Sequence, residues 1–109
     1  MLKLLKQKTK SKYGKISYKI IFDDKVIGKI YGNEKIYNEN KCFFITWILI
    51  NKQNRRKGYR TDCIKELKKK YNCLIINNIG GPNKKISKLF WTSLKFKKIP
   101  NSDWSIWKK

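Results

Sequence analysis

The chain contains no histidine. That one absence removes imidazole acid–base chemistry and most zinc sites. Acidic residues are scarce as well: 7 Asp and Glu stand against 28 Lys and Arg, a net charge of +21 over 109 residues. Cysteine is limited to Cys42, Cys63 and Cys73. The number is odd, and the spacings fit neither a CxxC pair nor a zinc set. They read as small core hydrophobes in a reduced compartment. No apolar run is long enough to cross a bilayer; the longest near-continuous one is 42–50. Met1-Leu2-Lys3-Leu4-Leu5 is cut by Lys6 before it makes the apolar region of a secretory signal. These absences point to a cytoplasmic protein with no metal and no membrane partner.

What is present suffices for one folded domain. Apolar residues are 40% of the chain and aromatics 14%, and a chain this short buries a modest core. Lys, Asn and Ile are abundant, as an AT-rich coding sequence would give, but that bias does not account for the shortage of acids. A charge of +21 attracts polyanions. It predicts non-specific nucleic-acid binding that weakens steeply with salt.

Periodicity then divides the chain. Residues 1–14, rich in Lys with Ser, Thr and Gly, read as a basic N-terminal arm, although Leu2, Leu4 and Leu5 could pair as a short edge strand. In 16–32, Ile16, Tyr18, Ile20 and Phe22 alternate with mostly polar residues; Asp23-Asp24-Lys25 turns the chain, and Val26, Ile27, Ile30 and Tyr31 return it. Residues 32–41 read as a loop. Residues 42–51 are nearly all apolar or β-branched, which predicts a central strand covered on both faces, with Trp47 in the core. From 61 to 71, Ile64, Leu67 and Tyr71 fall at helical spacing beside Cys63, with the lysines turned out. Residues 73–78 form a second buried strand. Gly80-Gly81-Pro82-Asn83 then opens a helix with Ile86, Leu89, Phe90 and Leu94 on its apolar face. Residues 96–99 and 104–107 make two short final strands. A strand–helix–strand unit beside a meander predicts a mixed sheet, hence an α+β or α/β fold.

Between the central strand and the first helix lies Arg55-Arg56-Lys57-Gly58-Tyr59-Arg60. A basic, glycine-containing turn opening a helix is a place to hold phosphates. The first helical amides have no intrahelical partner, and the helix dipole adds partial positive charge. Gly58 lets the backbone approach a ligand closely. Further on stands Phe90-Trp91-Thr92-Ser93-Leu94-Lys95-Phe96.

On these two segments the chain resembles the GNAT superfamily of N-acetyltransferases, from about Ile16 to the C-terminus and best over 42–96. Arg55 and Gly58 match the family's cofactor-loop pattern, and Arg60 stands where the family has Gly or Ala. Thr61 falls at a hydroxyl position and Asn83 at a common Asn position. In the aromatic-Leu-Gly-Phe pattern, Lys95 replaces Gly. The resemblance implies a mostly antiparallel, GNAT-like central sheet with two main helices over a single domain, 15–109. The usual N-terminal strand and two helices of the acceptor wall have no room, so a partner chain could complete an oligomer.

The resemblance also implies acetyl-CoA as co-substrate. The strand ending at Ile50 would splay from the next one and hold the pantetheine arm along Ile48 and Ile50. Arg55, Arg56, Lys57, Gly58, Tyr59, Arg60 and Thr61 would surround the pyrophosphate, with Asn83 nearby. Arg60 would either obstruct the cofactor or swing outward to the adenosine phosphate; the outward swing is favoured. The family's usual tyrosine acid is Trp91 here, which reads as a core residue. The catalytic groups stay open, with Glu34, Glu39 and Tyr59 as candidates. The positive field disfavours cationic acceptors and suits an amine on an acidic protein or on RNA. The alternative is a catalytically degenerate GNAT-like basic module that binds nucleic acid or an acidic partner. A third reading is an unrelated basic α+β binder in which Trp47, Tyr59, Trp104 and Trp107 stack on bases.

Overall fold

The computed structural model describes residues 2–55, 57–77 and 90–109. One sheet contains β1 (Leu2–Ser11), β2 (Gly14–Phe22), β3 (Lys25–Tyr37), β4 (Asn40–Ile50), β5 (Cys73–Asn77), β6 (Lys97–Lys98) and β7 (Trp104–Lys108). Their spatial order is β1-β2-β3-β4-β5-β7-β6. Among these described strands only β4 and β5 run parallel. Helix α1 (Tyr59–Lys70) joins those two strands, and residues 90–93 are helical. The fold is the mixed α+β arrangement expected. The expected helix start at Gly80-Gly81-Pro82-Asn83, with Ile86 and Leu89, lies outside the described residues, as does Arg56. No helix among the described residues is long and apolar enough to cross a membrane.

The sheet has two unlike faces. Alternation sends Tyr18, Ile20, Ile30 and Phe43 to one of them, where they meet Cys63, Ile64 and Leu67 of α1. Trp91, Leu94 and Phe96 close the same core, so Trp91 packs as expected. The opposite face buries a smaller cluster of Cys42, Cys73 and Ile75, with Phe44 and Ile106 against it.

Four expectations need correction. Residues 2–11, read as an arm, form β1. They pair with β2 from Leu2↔Phe22 to Ser11↔Gly14, with Leu2 buried in the core. Lysines at alternate positions hid an edge strand. The chain then turns at Lys12-Tyr13 directly into β2, so no helices intervene there.

Residues 32–41, read as a loop, belong to β3 and β4. A two-residue turn at Asn38-Glu39 joins them, with φ of 49° and 66°. Asp23-Asp24 makes the same kind of turn between β2 and β3, with φ of 49° and 63°. Positive φ at both central residues matches the strand twist, and Asn and Asp tolerate it best after glycine.

Strand β4 is covered on both faces only over 42–45. Trp47 and Leu49 are each 39% exposed, so Trp47 is not in the core. Among the described residues, pairing with β5 likewise stops at residue 45.

The cysteines are not all thiols. The parallel register sets Cys42 opposite Cys73 with Cα atoms 4.5 Å apart, and a disulfide joins them. Only Cys63 is a free, buried thiol; burial, reinforced by Asp62, pushes its pKa up to about 12. Free thiols were one ground for placing the chain in the cytoplasm, and that ground now rests on Cys63 alone.

Two close fits position the strands and the second helical segment. A Cβ on Gly32 would lie 2.2 Å from the Phe44 carbonyl oxygen and 2.7 Å from the Phe43 ring, so glycine lets Phe43 lie against β3. The helical turn at 90–93 ends in a Schellman arrangement. The Phe96 amide donates to the Trp91 carbonyl at 3.1 Å, and the Lys95 amide to Thr92 at 3.0 Å. Lys95 takes φ of 70° at the position glycine usually fills. The Trp91 and Phe96 rings meet edge to face at 5.1 Å. Lys68 of α1 donates to the Leu94 carbonyl at 2.6 Å, tying the segment to the helix.

Candidate functional site

Pairing of β4 with β5 ends at Ile45↔Ile76. On its other side, β4 pairs Ile45 with Gly32 and Trp47 with Tyr31, leaving Thr46 as an extra residue. A bulge bends its strand and adds twist. Beyond it, β4 has no strand partner on that side among the described residues.

The chain leaves β4 through a short 3₁₀ turn, Lys52–Asn54, and reaches Gly58. Gly58 caps α1 in the left-handed region, φ 79° and ψ 7°, with no side-chain cap. The opening amides of α1 are therefore left without the usual hydroxyl or carboxylate acceptor. A β-carbon at Gly58 would meet nothing within 4 Å.

The β4 edge and the helix start enclose a cleft of about 580 Å³. That is within the usual range for small-molecule sites, about 300–1,000 Å³. Trp47, Ile48, Leu49 and Ile50 form one wall; Asn54, Arg55, Gly58, Tyr59, Arg60, Thr61 and Phe90 form the rest of the described lining. The cleft opens beyond the carboxyl ends of two parallel strands, where α/β sheets commonly bind ligands. A larger hollow of about 770 Å³ lies beside β1 and β2, with Lys8, Thr9, Lys10, Ser11, Lys15 and Ile16 on its described walls. It has no helix start among those residues.

The cleft gathers most of the residues expected to hold a cofactor. Ile48 is only 8% exposed, so its side chain anchors in the core while its backbone faces the opening. Arg55 Nε donates to the Ile50 carbonyl at 2.9 Å, fixing the guanidinium over the strand end. Tyr59 packs on Phe22, with ring centroids 4.9 Å apart. Thr61 lines the cleft one turn into the helix. Lys57 is exposed and is not part of the lining. Arg56 and Asn83 fall outside the described residues.

Arg60 lies against the Phe90 ring, its guanidinium carbon 5.6 Å from the centroid. Held there, it forms part of the wall and leaves the cleft open. Phe90, Trp47, Leu49 and Asn54 were not assigned to the site from sequence. Phe90 alone carried a signal, as half of the aromatic pair before Leu94.

Of the three candidate proton-transfer groups, only Tyr59 lines the cleft. Glu39 sits in the turn joining β3 to β4. Glu34 lies opposite Phe43, on the order of 10 Å along β4 from the cleft at strand rise. It accepts hydrogen bonds from Tyr71 at 2.5 Å and Lys6 at 2.8 Å, with Lys41 3.7 Å away. Tyr71 also bonds the Tyr18 hydroxyl at 2.6 Å. Burial pulls the Glu34 pKa upward, but the bonds from Lys6 and Tyr71 and the charges of Lys6 and Lys41 outweigh it and hold it below normal. Burial, then Glu34 itself, raises the Tyr71 pKa. This network ties β1, β2 and β3 to the end of α1.

At the level of sequence, no family model and no curated protein matches the chain. Solved structures do match it. The Bacillus subtilis N-acetyltransferase YlbP, in complex with coenzyme A, superposes with a TM-score of 0.63 at 17% identity, over 85% of this chain and 67% of that one. An aminoglycoside acetyltransferase from an uncultured soil metagenomic sample gives 0.62 at 16%, over 83% of this chain and 63% of its own length. YhhK of E. coli, described as an N-acetyltransferase and bound to coenzyme A, gives 0.65 at 12%, over 96% and 97%. At these identities the likeness concerns the fold alone, which the chain shares with these acetyltransferase structures.

Proposed function

We propose that the chain is an N-acetyltransferase that takes its acetyl group from acetyl-CoA and delivers it to an amine. The observation that carries this reading is the cleft itself: a β4 edge with no strand partner among the described residues meets an uncapped helix start in one opening. The backbone of Ile48 and the amide of Ile50 suit an amide-bearing arm such as pantetheine; the Ile50 carbonyl is already held by Arg55. The amides opening α1 suit a pyrophosphate, reinforced by the helix dipole. Arg55 and Arg60 add charge-assisted donors at the same end.

Bound acetyl-CoA would supply a thioester carbonyl for direct attack by the amine. The chain's part is to position the reactants and to polarise the carbonyl through a backbone donor on β4. Tyr59 is the candidate acid for the departing thiolate. Trp91 is not one, because its indole packs against Phe90 and Phe96. The +21 field lowers the pKa of an incoming amine, which aids its deprotonation, and repels cationic acceptors. An amine carried on an acidic protein or on RNA fits that field; a polyamine does not.

The test is calorimetric titration of acetyl-CoA into nucleic-acid-free protein near physiological salt, repeated with Gly58→Trp. Saturable binding by the native chain, lost in the variant, is the expected result. No binding by a demonstrably folded native chain overturns the proposal.

A further inference from the structure

The sheet face turned away from α1 carries the small Cys42–Cys73–Ile75 cluster and is otherwise largely uncovered, and its composition is unusual. The strand register arranges it in rows. Leu5 pairs with Lys19, Lys19 with Lys29, and Lys29 with Leu49. The next row across β3 and β4 is Tyr31 beside Trp47. Tyr13, from the β1–β2 turn, folds over this row, 4.3 Å from Trp47 and 5.8 Å from Tyr31 between centroids. Farther across, Phe44 meets Trp104 at 5.7 Å. Five of the six exposed large hydrophobics among the described residues fall on this face by alternation: Leu5, Val26, Trp47, Leu49 and Trp104. Lysine ammonium groups are interleaved with the rings, Lys12 at 5.1 Å from the Tyr13 centroid and Lys35 at 5.2 Å from Phe44.

A face this apolar needs an occupant, and the charge selects it. A second copy would set +21 against +21. The occupant must be anionic, and it must also use flat, exposed aromatic surface. Single-stranded nucleic acid has both properties: phosphates at regular intervals, and unpaired bases with a π-face each. Trp47 on β4 and Trp104 on β7 are two strands apart, at least about 10 Å by strand spacing. That leaves space for bases on separate rings.

We propose that this sheet face is a binding platform for single-stranded nucleic acid, with Trp47 and Trp104 stacking on bases and Lys19 and Lys29 pairing with phosphates. Trp47 also borders the cleft, whereas Trp104 is no part of it, so the Trp104 variant reads the platform apart from the cleft.

Charge alone makes the chain bind any polyanion, so the test isolates stacking. A labelled 12-nucleotide single-stranded RNA is titrated by fluorescence anisotropy against native protein, Trp47→Ala and Trp104→Ala, with polyglutamate as the charge control. Each alanine is expected to weaken RNA binding about tenfold and to leave polyglutamate binding unchanged. RNA should quench the native indole emission. Lys19→Glu with Lys29→Glu should make the salt slope shallower by about 2. RNA binding unchanged in both tryptophan variants overturns the platform. So does polyglutamate binding as tight as RNA that falls in parallel in those variants, which would make the face a site for an acidic protein. If either variant melts early, the native quench and the lysine pair decide: no quench with an unchanged salt slope also overturns it.

Discussion

At residues 42–45, β4 has a strand on each side, a disulfide across to β5, and Phe43 wholly buried beneath Tyr71. At residues 46–50, the same strand keeps one strand neighbour among the described residues, shows Trp47 and Leu49 to solvent, and borders a cleft on its other side. A single extra residue, Thr46, separates the two regimes. The comparison teaches a division of labour within one strand. The closed half fixes the position of the open half, and the open half keeps a backbone edge that a ligand can use. An opening between strands is stable only if the strands are firmly joined below it.

Phe43→Ala is the most severe way to break that contrast. Phe43 has no exposed surface and touches the rings of Tyr18 and Tyr71, so denaturant unfolding should show a loss of about 3–5 kcal/mol. Reduction of Cys42–Cys73, which are 31 residues apart, comes next, at about 3–4 kcal/mol by loop-closure entropy. A melting midpoint unchanged by reductant would mean the joint does not rest on the disulfide. Glu34→Gln sharpens the comparison through pH. The Glu34 pKa lies below its unfolded value. Its contribution is therefore complete above about pH 4.3 and is lost as pH falls through the lowered value. The variant should flatten the acid limb of a stability–pH curve, and an acid limb of native steepness would place the sensitivity elsewhere. Leu49→Ala, on the open half, should move stability by no more than about 0.5 kcal/mol. A loss as large as that of Phe43→Ala would erase the distinction.

The closed half could be read from sequence only in part. The run at 42–50 announced a central strand, because two-sided burial leaves a continuous apolar stretch. The register across β4 and β5 was not legible, because parallel partners are joined through a helix and no local turn sets their pairing. Without the register, Cys42 and Cys73 looked unrelated. Helix α1 was legible because Ile64, Leu67 and Tyr71 keep the helical period, and the β2–β3 hairpin because Asp23-Asp24 marks its turn. The β3–β4 hairpin was missed because Asn33, Glu34 and Lys35 resemble loop composition. Glu34 is polar there because it closes a network with Tyr71 and Lys6, a reason visible only in three dimensions. At the site, the basic turn and Gly58 were readable as phosphate chemistry. The placement of Arg60 on Phe90 was not, since it joins two segments far apart in the chain.

Lys95 bears on how such chains are recognised. The resemblance asks for glycine between Leu94 and Phe96, and the backbone there adopts φ of 70° with lysine instead. Both hydrogen bonds and the Trp91–Phe96 contact of the motif are nonetheless made. The left-handed conformation costs a residue with a β-carbon about 1–2 kcal/mol, a sum the surrounding core can absorb. A pattern written in letters rejects this segment at one position; the same pattern written in torsion angles accepts all of it. At this turn the hydrogen bonds depend on the torsion angle and are met whether or not glycine supplies it.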